Sequence, residues 1–384
     1  MRAGRLRGAA ATIAGVVVVI GASAAVAPAA WAHDGENHRQ GPEQELVVSV
    51  NGHDSATCGR ADDPCRTIGQ AVKNAPSGGE VEVHRGTYTE SVTVNKRLEL
   101  VGEHATIDAS GMVNGISLTS AASWSEVRGF KVENAIGEGI LSTANSGVQV
   151  SWNEVTHNDT GASDPHTTDP LCLPSGQVPG DCGEALHLDG TVGARVEHNF
   201  VHDNVGGILI ADDAASSHNN WITHNLVKNN KEDCGITMPS HSTNTVHDNV
   251  IAYNTSTGNG AAGVLIAASG PGDNDFNNVV KGNRIWGNGE GGVQLHAHAP
   301  GQNIDGNKIL DNWIGTNNTA GDMDFNDLQT TGIIVASAVV PVKGLVVHDN
   351  TIANNHFGMF LTPNVNTSGI NDNEFHNDTV NIQQ

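Results

Sequence analysis

Positive charge is what this 384-residue chain has least of: 19 lysines and arginines stand against 42 aspartates and glutamates, for a formal net charge of −23. So acidic a chain repels nucleic acid and anionic membranes at long range, and disfavours a polyanionic substrate unless local cations or bound metal ions offset it. Aromatics are scarce at 4%. No stretch carries a sustained helical stripe of apolar residues, which excludes a helical bundle. Past residue 32 no apolar run is long enough to span a bilayer. Cysteine is limited to five residues with no Cys-x-x-Cys spacing, which excludes the common zinc and redox thiol motifs.

What is present begins with an address. Arg2, Arg5 and Arg7 precede an apolar run that ends in Ala30-Trp31-Ala32, a small-x-small cleavage site. Residues 1–32 therefore read as a secretory signal, residues 33–45 as a tail, and 46–384 as the folded domain. The expected location is extracellular, with no membrane contact after signal removal. Cleavage would place His33 first, where its amine and imidazole are potential copper ligands, although "HDGENH" reads as tail. Cysteine usage agrees with export. Cys58 and Cys65, and Cys172 and Cys182, bracket segments rich in turn formers and are expected as two disulfides. Cys234 is left over and sits at an inward position, as a buried inert thiol would.

The rest of the chain repeats one phrase: Asn, any residue, an apolar residue, two more, then Asn or Asp. Copies start at Asn153, Asn199, Asn225, Asn249, Asn283, Asn307, Asn350 and Asn373. Most lead into a glycine followed by alternating apolar residues, as in Gly207-Ile208-Leu209-Ile210 and Gly263-Val264-Leu265-Ile266. A basic step of about 24 residues with period-two alternation signals short strands stacked in a solenoid. The expected fold is all-β, a single-stranded parallel β-helix whose aliphatics stack inward and whose asparagines stack at the turns.

These repeats, over roughly residues 100–380, resemble those of the right-handed parallel β-helix proteins of the pectin lyase-like superfamily. The segment "PCRTIGQAVKNAPSGGEVEVHRGTYTESVTVNKRLELVGE" is similar to that family's N-terminal cap. It predicts a helix over 66–76, with Ile68, Ala71, Val72 and Ala75 covering the open end of the stack; residues 46–100 form the cap and first strands. The resemblance implies a secreted, monomeric, polysaccharide-active protein of the hydrolase or lyase kind. A non-enzymatic β-helix that binds a glycan or the cell surface is the alternative.

Aligning the glycine phrases, with Ala185 matched to Gly207, places candidate site residues in columns. The second position after the glycine holds His187 and the fourth Asp189 and His296; further along come Asp212, Asp213, His241 and His298. They are expected on one outward face, walled by the Cys172–Cys182 insertion. A functional site and a solvated decorative face are both open readings of that pattern. Similarity to polygalacturonase-type motifs is carried by "HLDG" with Asp189, "ADD" with Asp212 and Asp213, "PSH" with His241 and "NRIW" with Arg284. The chain lacks that family's Gly-His-Gly, its Arg-Ile-Lys lysine and the asparagine before the first aspartate. "SDPH", with Asp164 and His166, is similar to the Asp-Pro-His of alginate epimerases.

Catalysis is thus expected from Asp189, Asp212, Asp213, His241 and His187, and substrate binding from His296, His298, Asp164, His166 and Arg284. Asp189 and Asp213, on adjacent coils, could span the roughly 6.5–9.5 Å of an inverting carboxylate pair. A lyase needs a cation or metal beside the uronate, and few cations lie near these columns. The one cofactor suggested is calcium: "GDMDFND" puts Asp322, Asp324 and Asn326 at alternate positions, as calcium loops and plain acidic loops both do. His187, His241, His296 and His298 are candidate ligands for a transition metal.

Overall fold

A computed structural model describes residues 45–160, 184–322, 327–337 and 339–384. The expected signal and tail, the Cys172–Cys182 bridge with Asp164 and His166, and Asp324 and Asn326 all lie outside the described residues. From Glu45 onward the chain winds as a right-handed parallel β-helix. One sheet stacks 11 strands, one per coil, from Val92–Val94 to Val380–Gln383. A second sheet of 21 strands takes two short strands from most coils, and a third of 3 strands lies beside them. All the strand pairs are parallel, which closes the backbone hydrogen bonding from coil to coil. No helix among the described residues is long and apolar enough to cross a membrane.

Inward positions repeat because each side chain rests on its counterpart one coil away. In the 11-strand sheet Ile140, Leu186, Ile208, Ile236, Val264, Val293 and Ile333 share one register and are fully buried. Each such aliphatic contributes about 1.5–3 kcal/mol. The expected match of Ala185 with Gly207 holds, since Leu186 pairs with Ile208. The glycine at that point is sterically required: a Cβ on Gly207 would lie 2.0 Å from the Gly235 carbonyl oxygen.

The asparagines build ladders, as the phrase suggested, but the ladders correct its period. Asn153, Asn199, Asn225, Asn254, Asn283, Asn312 and Asn350 form one; from Asn199 onward each Oδ1 accepts from the backbone N–H and side-chain amide of the asparagine one coil earlier. Asn249 and Asn307 belong to a different ladder, with Asn220 and Asn278. The regular coil is therefore 29 residues, as from Asn225 to Asn254, not about 24. Each coil turns several corners, and more than one corner carries the same phrase. The residue before the first ladder is left-handed, with Trp152 at φ 58° and His224 at 58°. At such a bend strand bonding lapses, and the buried amides take up the stranded N–H and C=O groups.

The cap helix spans Ile68–Asn74, shorter than the expected 66–76 because Thr67 is its N-cap and accepts from Gln70 N. Glu90 extends the cap by accepting from the N–H groups of Ile68 and Gly69 at 2.8 and 2.9 Å. Ile68, Ala71, Val72 and Ala75 are buried over the first coils, as expected. Cys58 and Cys65 are bonded, with Cα atoms 4.9 Å apart. Cys234 is buried, and burial pushes its thiol pKa well up, in keeping with an inert role.

Candidate active site on the eleven-strand sheet

The expected outward row is not a solvated face. His187, Leu209, Thr237 and Gln294, which share the second position after the glycine, are 5%, 3%, 4% and 3% exposed. Leu209, Leu265 and Ile334 in that row were the sign: strands with aliphatics on both faces are covered on both. The accessible part of the patch is the ledge where the strands end, with Asp189 half-buried and Asp213 exposed.

His187 sits behind that ledge. Its Nδ1 lies 3.1 Å from Oε1 of Glu138, one coil earlier. A carboxylate only accepts, so Nδ1 carries a proton, and the buried Nε2 has no hydrogen-bond partner among the described residues. Burial opposes charge on this ring, but the Glu138 hydrogen bond and the carboxylates of Glu138, Asp189 and Asp213 outweigh it and raise its pKa. Glu138 was not anticipated. It precedes a glycine phrase, in "GEGI", and is 49 residues from His187 because an insertion lies between; the same register alignment, extended one position before the glycine, would have found it.

The aspartates divide into three roles. Asp189 lies half-buried at the end of its strand, where its Oδ1 accepts from Ala214 N at 2.7 Å. Burial raises its pKa, with added push from Asp213 and Glu138, against the pull of His187 and the Ala214 N–H. Asp213, one coil on, holds His241 Nδ1 at 3.2 Å from Oδ2. That hydrogen bond outweighs burial and keeps its carboxyl below the ordinary range. Asp212 departs from expectation. It is fully buried, and its oxygens accept from Ser240 Oγ at 2.9 Å and His241 N at 2.7 Å. It alternates with Asp213 along the chain and so points the other way, inward, where it fixes the backbone that carries His241. None of the leading influences on His187, Asp189, Asp212 and Asp213 comes from a lysine or arginine.

The other candidates lie apart. His298 is two coils beyond His241, about 10 Å along the axis. Its Nε2 meets His296 Nδ1, and burial, with His298 beside it, pushes the His296 pKa down to about 3. Arg284 is on the 21-strand sheet, its guanidinium 5.7 Å over the Trp313 ring, and does not join the acidic cluster. "NRIW" is an ordinary ladder phrase, which is why it matched a motif by letters alone. Asp322 is buried and accepts from Gln294 Nε2 at 2.9 Å.

This architecture is the pectin lyase-like β-helix. Within it, the family described as "Periplasmic copper-binding protein (NosD)" matches residues 121–335 and 175–384, and the chain belongs to that family. No protein of curated function matches the chain. Among solved structures it is similar to the A-module of mannuronan C-5 epimerase AlgE4 from Azotobacter vinelandii, at 15% identity over 80% of this chain and 89% of that one, TM-score 0.40. It is also similar to the GH136 lacto-N-biosidase of Eubacterium ramulus (11%, 86% and 67%, TM-score 0.50) and to PfbA, a surface adhesin of Streptococcus pneumoniae (13%, 81% and 87%, TM-score 0.49). At such identities the likeness is one of fold.

Proposed function

We propose that the chain is an exported β-helix protein that hydrolyses a neutral polysaccharide at the Asp189–Asp213 ledge. The observation that carries this reading is the placement of two carboxylates on successive coils in unlike settings: Asp189 sunk beside His187, Asp213 open to solvent and paired with His241. Neighbouring acids whose surroundings push them apart divide into donor and base. Asp189 gives its proton to the leaving glycosidic oxygen as the carbon–oxygen bond breaks. Water attacks the anomeric carbon, and its proton passes to Asp213. That none of the leading influences on the pair among the described residues comes from a lysine or arginine supports a neutral sugar, since a uronate would need its charge met.

The family description names copper. Copper favours imidazole, thiolate or thioether donors. Cys58 and Cys65 are bonded to each other, Cys234 is buried, and Met238 and Met359 are in the core. His296 and His298 bring two ring nitrogens together. Among the described residues the triads of ligating side chains are Asp54 with the two bonded cysteines, and Glu82, His84 and Glu103, which offers mostly hard oxygen donors. Neither triad offers a copper donor set, and no step is assigned to the metal.

The experiment is incubation of the purified protein with neutral glucans and xylans, and with pectate and alginate, in calcium and in chelator. The expected result is new reducing ends from a neutral polymer in chelator, without the ultraviolet absorbance of an unsaturated product. Release from acidic polymers only would overturn the proposal. Binding without release would replace it with the glycan-binding alternative.

A further inference from the structure

A second feature lies on the 21-strand sheet, away from the ledge. At the left-handed corner before the first asparagine ladder, flat rings stack coil upon coil. Trp152 lies on His198 with centroids 4.3 Å apart, His198 on His224 at 5.1 Å, and His224 on Tyr253 at 5.4 Å. The column ends toward the C-terminus where Tyr253 rests over Gly282. Toward the N-terminus it stops at Trp152, which is 65% exposed.

Beyond Trp152 the column has no side chain at the next coil, and one coil further it resumes at the left-handed His104. The next corner is Gly129 at φ 80°, and the one before it is a bulge, where Gly102, Glu103 and His104 stand opposite Gly129 alone. The glycines are required by the backbone: a Cβ on Gly129 would lie 2.3 Å from the Gly102 carbonyl oxygen. Their bareness leaves a hollow of about 510 Å³ lined by Arg85, Gly102, Glu103, His104, Gly129 and Trp152. That volume is within the range of small-ligand sites, about 300–1,000 Å³. Bulges recur where a strand re-aims side chains toward a ligand, and this one turns Glu103 and His104 to the walls.

We propose that this hollow is a binding subsite for a pyranose ring of a neutral glycan, seated against the open face of Trp152. One bare coil, at Gly129, leaves about 10 Å between the Trp152 and His104 corners, which suits one flat ring continuing the stack. Arg85 donates, Glu103 accepts and His104 does either, the mixture that sugar hydroxyls satisfy. Opposite charges on the walls cancel any preference for an ion, and the chain's net charge of −23 opposes nucleotides. The subsite shares no residue with the Asp189–Asp213 ledge and does not depend on it.

The test is native electrophoresis of the full chain through gels containing laminarin, hydroxyethyl cellulose, xylan or dextran, with polygalacturonate as the charged comparison. At least one neutral polymer should retard the wild type. Trp152→Gly, which copies the glycines found elsewhere in the same column, should weaken retardation at least tenfold. Tyr253→Gly, at the far end of the stack, should leave it unchanged. Should Trp152→Gly fail to fold by circular dichroism, the double variant Arg85→Ala/Glu103→Ala must show the same loss. An Asp189→Asn/Asp213→Asn variant should still be retarded, which separates this subsite from the hydrolytic site. No retardation by any neutral polymer, equal retardation of the wild type and the hollow variants, or retardation by polygalacturonate alone would overturn the proposal.

Discussion

Two sets of polar residues in this chain differ in composition and in arrangement. The asparagine ladders repeat without change: Asn199, Asn225, Asn254, Asn283 and Asn312 each make the same bonds to the coils on either side. The cluster of Glu138, His187, Asp189, Asp213 and His241 occurs once, on a sheet whose same columns hold Leu141, Leu209, Thr143 or Ala211. A polar group repeated at every coil has its partner supplied by the repeat and serves the backbone. One that interrupts the repeat must find a partner of its own, as His187 does in Glu138. In a solenoid, then, the broken column is the place to look for chemistry.

That contrast is open to attack from the ladder side first. Asn225 accepts from Asn199 through Oδ1 and donates through Nδ2 to Val196 O and Asn254 Oδ1. Asn225→Leu should cost about 3 kcal/mol or more, because it strands buried partners on both neighbouring coils; a denaturant melt that moves less would show the ladder to be ornamental. A smaller loss, about 2 kcal/mol, is expected on reducing Cys58–Cys65, whose loop is short; it should register in the unfolding midpoint of the cap rather than in the ledge.

Titration sharpens the other side. The His187 pKa is raised above its ordinary 6.5, so the stability it contributes is full below about that pH and is lost as pH rises through the raised value. His187→Gln should remove that slope from a plot of unfolding free energy against pH, and an unchanged slope would assign it to another group. Asp213 runs the opposite way. Its depressed carboxyl contributes above its ordinary 3.8 and fades as pH falls through the lowered value. Activity should follow the pair, falling at low pH as Asp213 gains a proton and at higher pH as Asp189 loses its own. Least of all should change at Cys234, whose buried thiol should resist maleimide labelling in the native protein.

The coil register was legible because it rests on steric facts printed in the letters: a glycine where two backbones meet, and aliphatics two residues apart. Asp189, Asp213 and His241 could be placed on neighbouring coils for that reason. Coil length was harder to read, since Asn249 and Asn225 head identical phrases at different corners of the helix. Asp212 and Asp213 are indistinguishable as letters, and only the alternation of the backbone sends one inward to Ser240 and the other out to His241. Glu138 was hidden by distance along the chain, and the hollow beside Trp152 by the two glycines in its lining, which carry no side chain to mark it.

The most direct test sets one variant of each kind side by side, Asp189→Asn and Asn225→Leu, and measures both hydrolysis of the neutral polysaccharide and the thermal midpoint. Asp189→Asn should lose at least about 100-fold in rate with a midpoint within a few degrees of wild type. Asn225→Leu should lose midpoint while keeping its rate at temperatures where it stays folded. An Asp189→Asn variant that cleaves as fast as the wild type would contradict the assignment of Asp189 as proton donor.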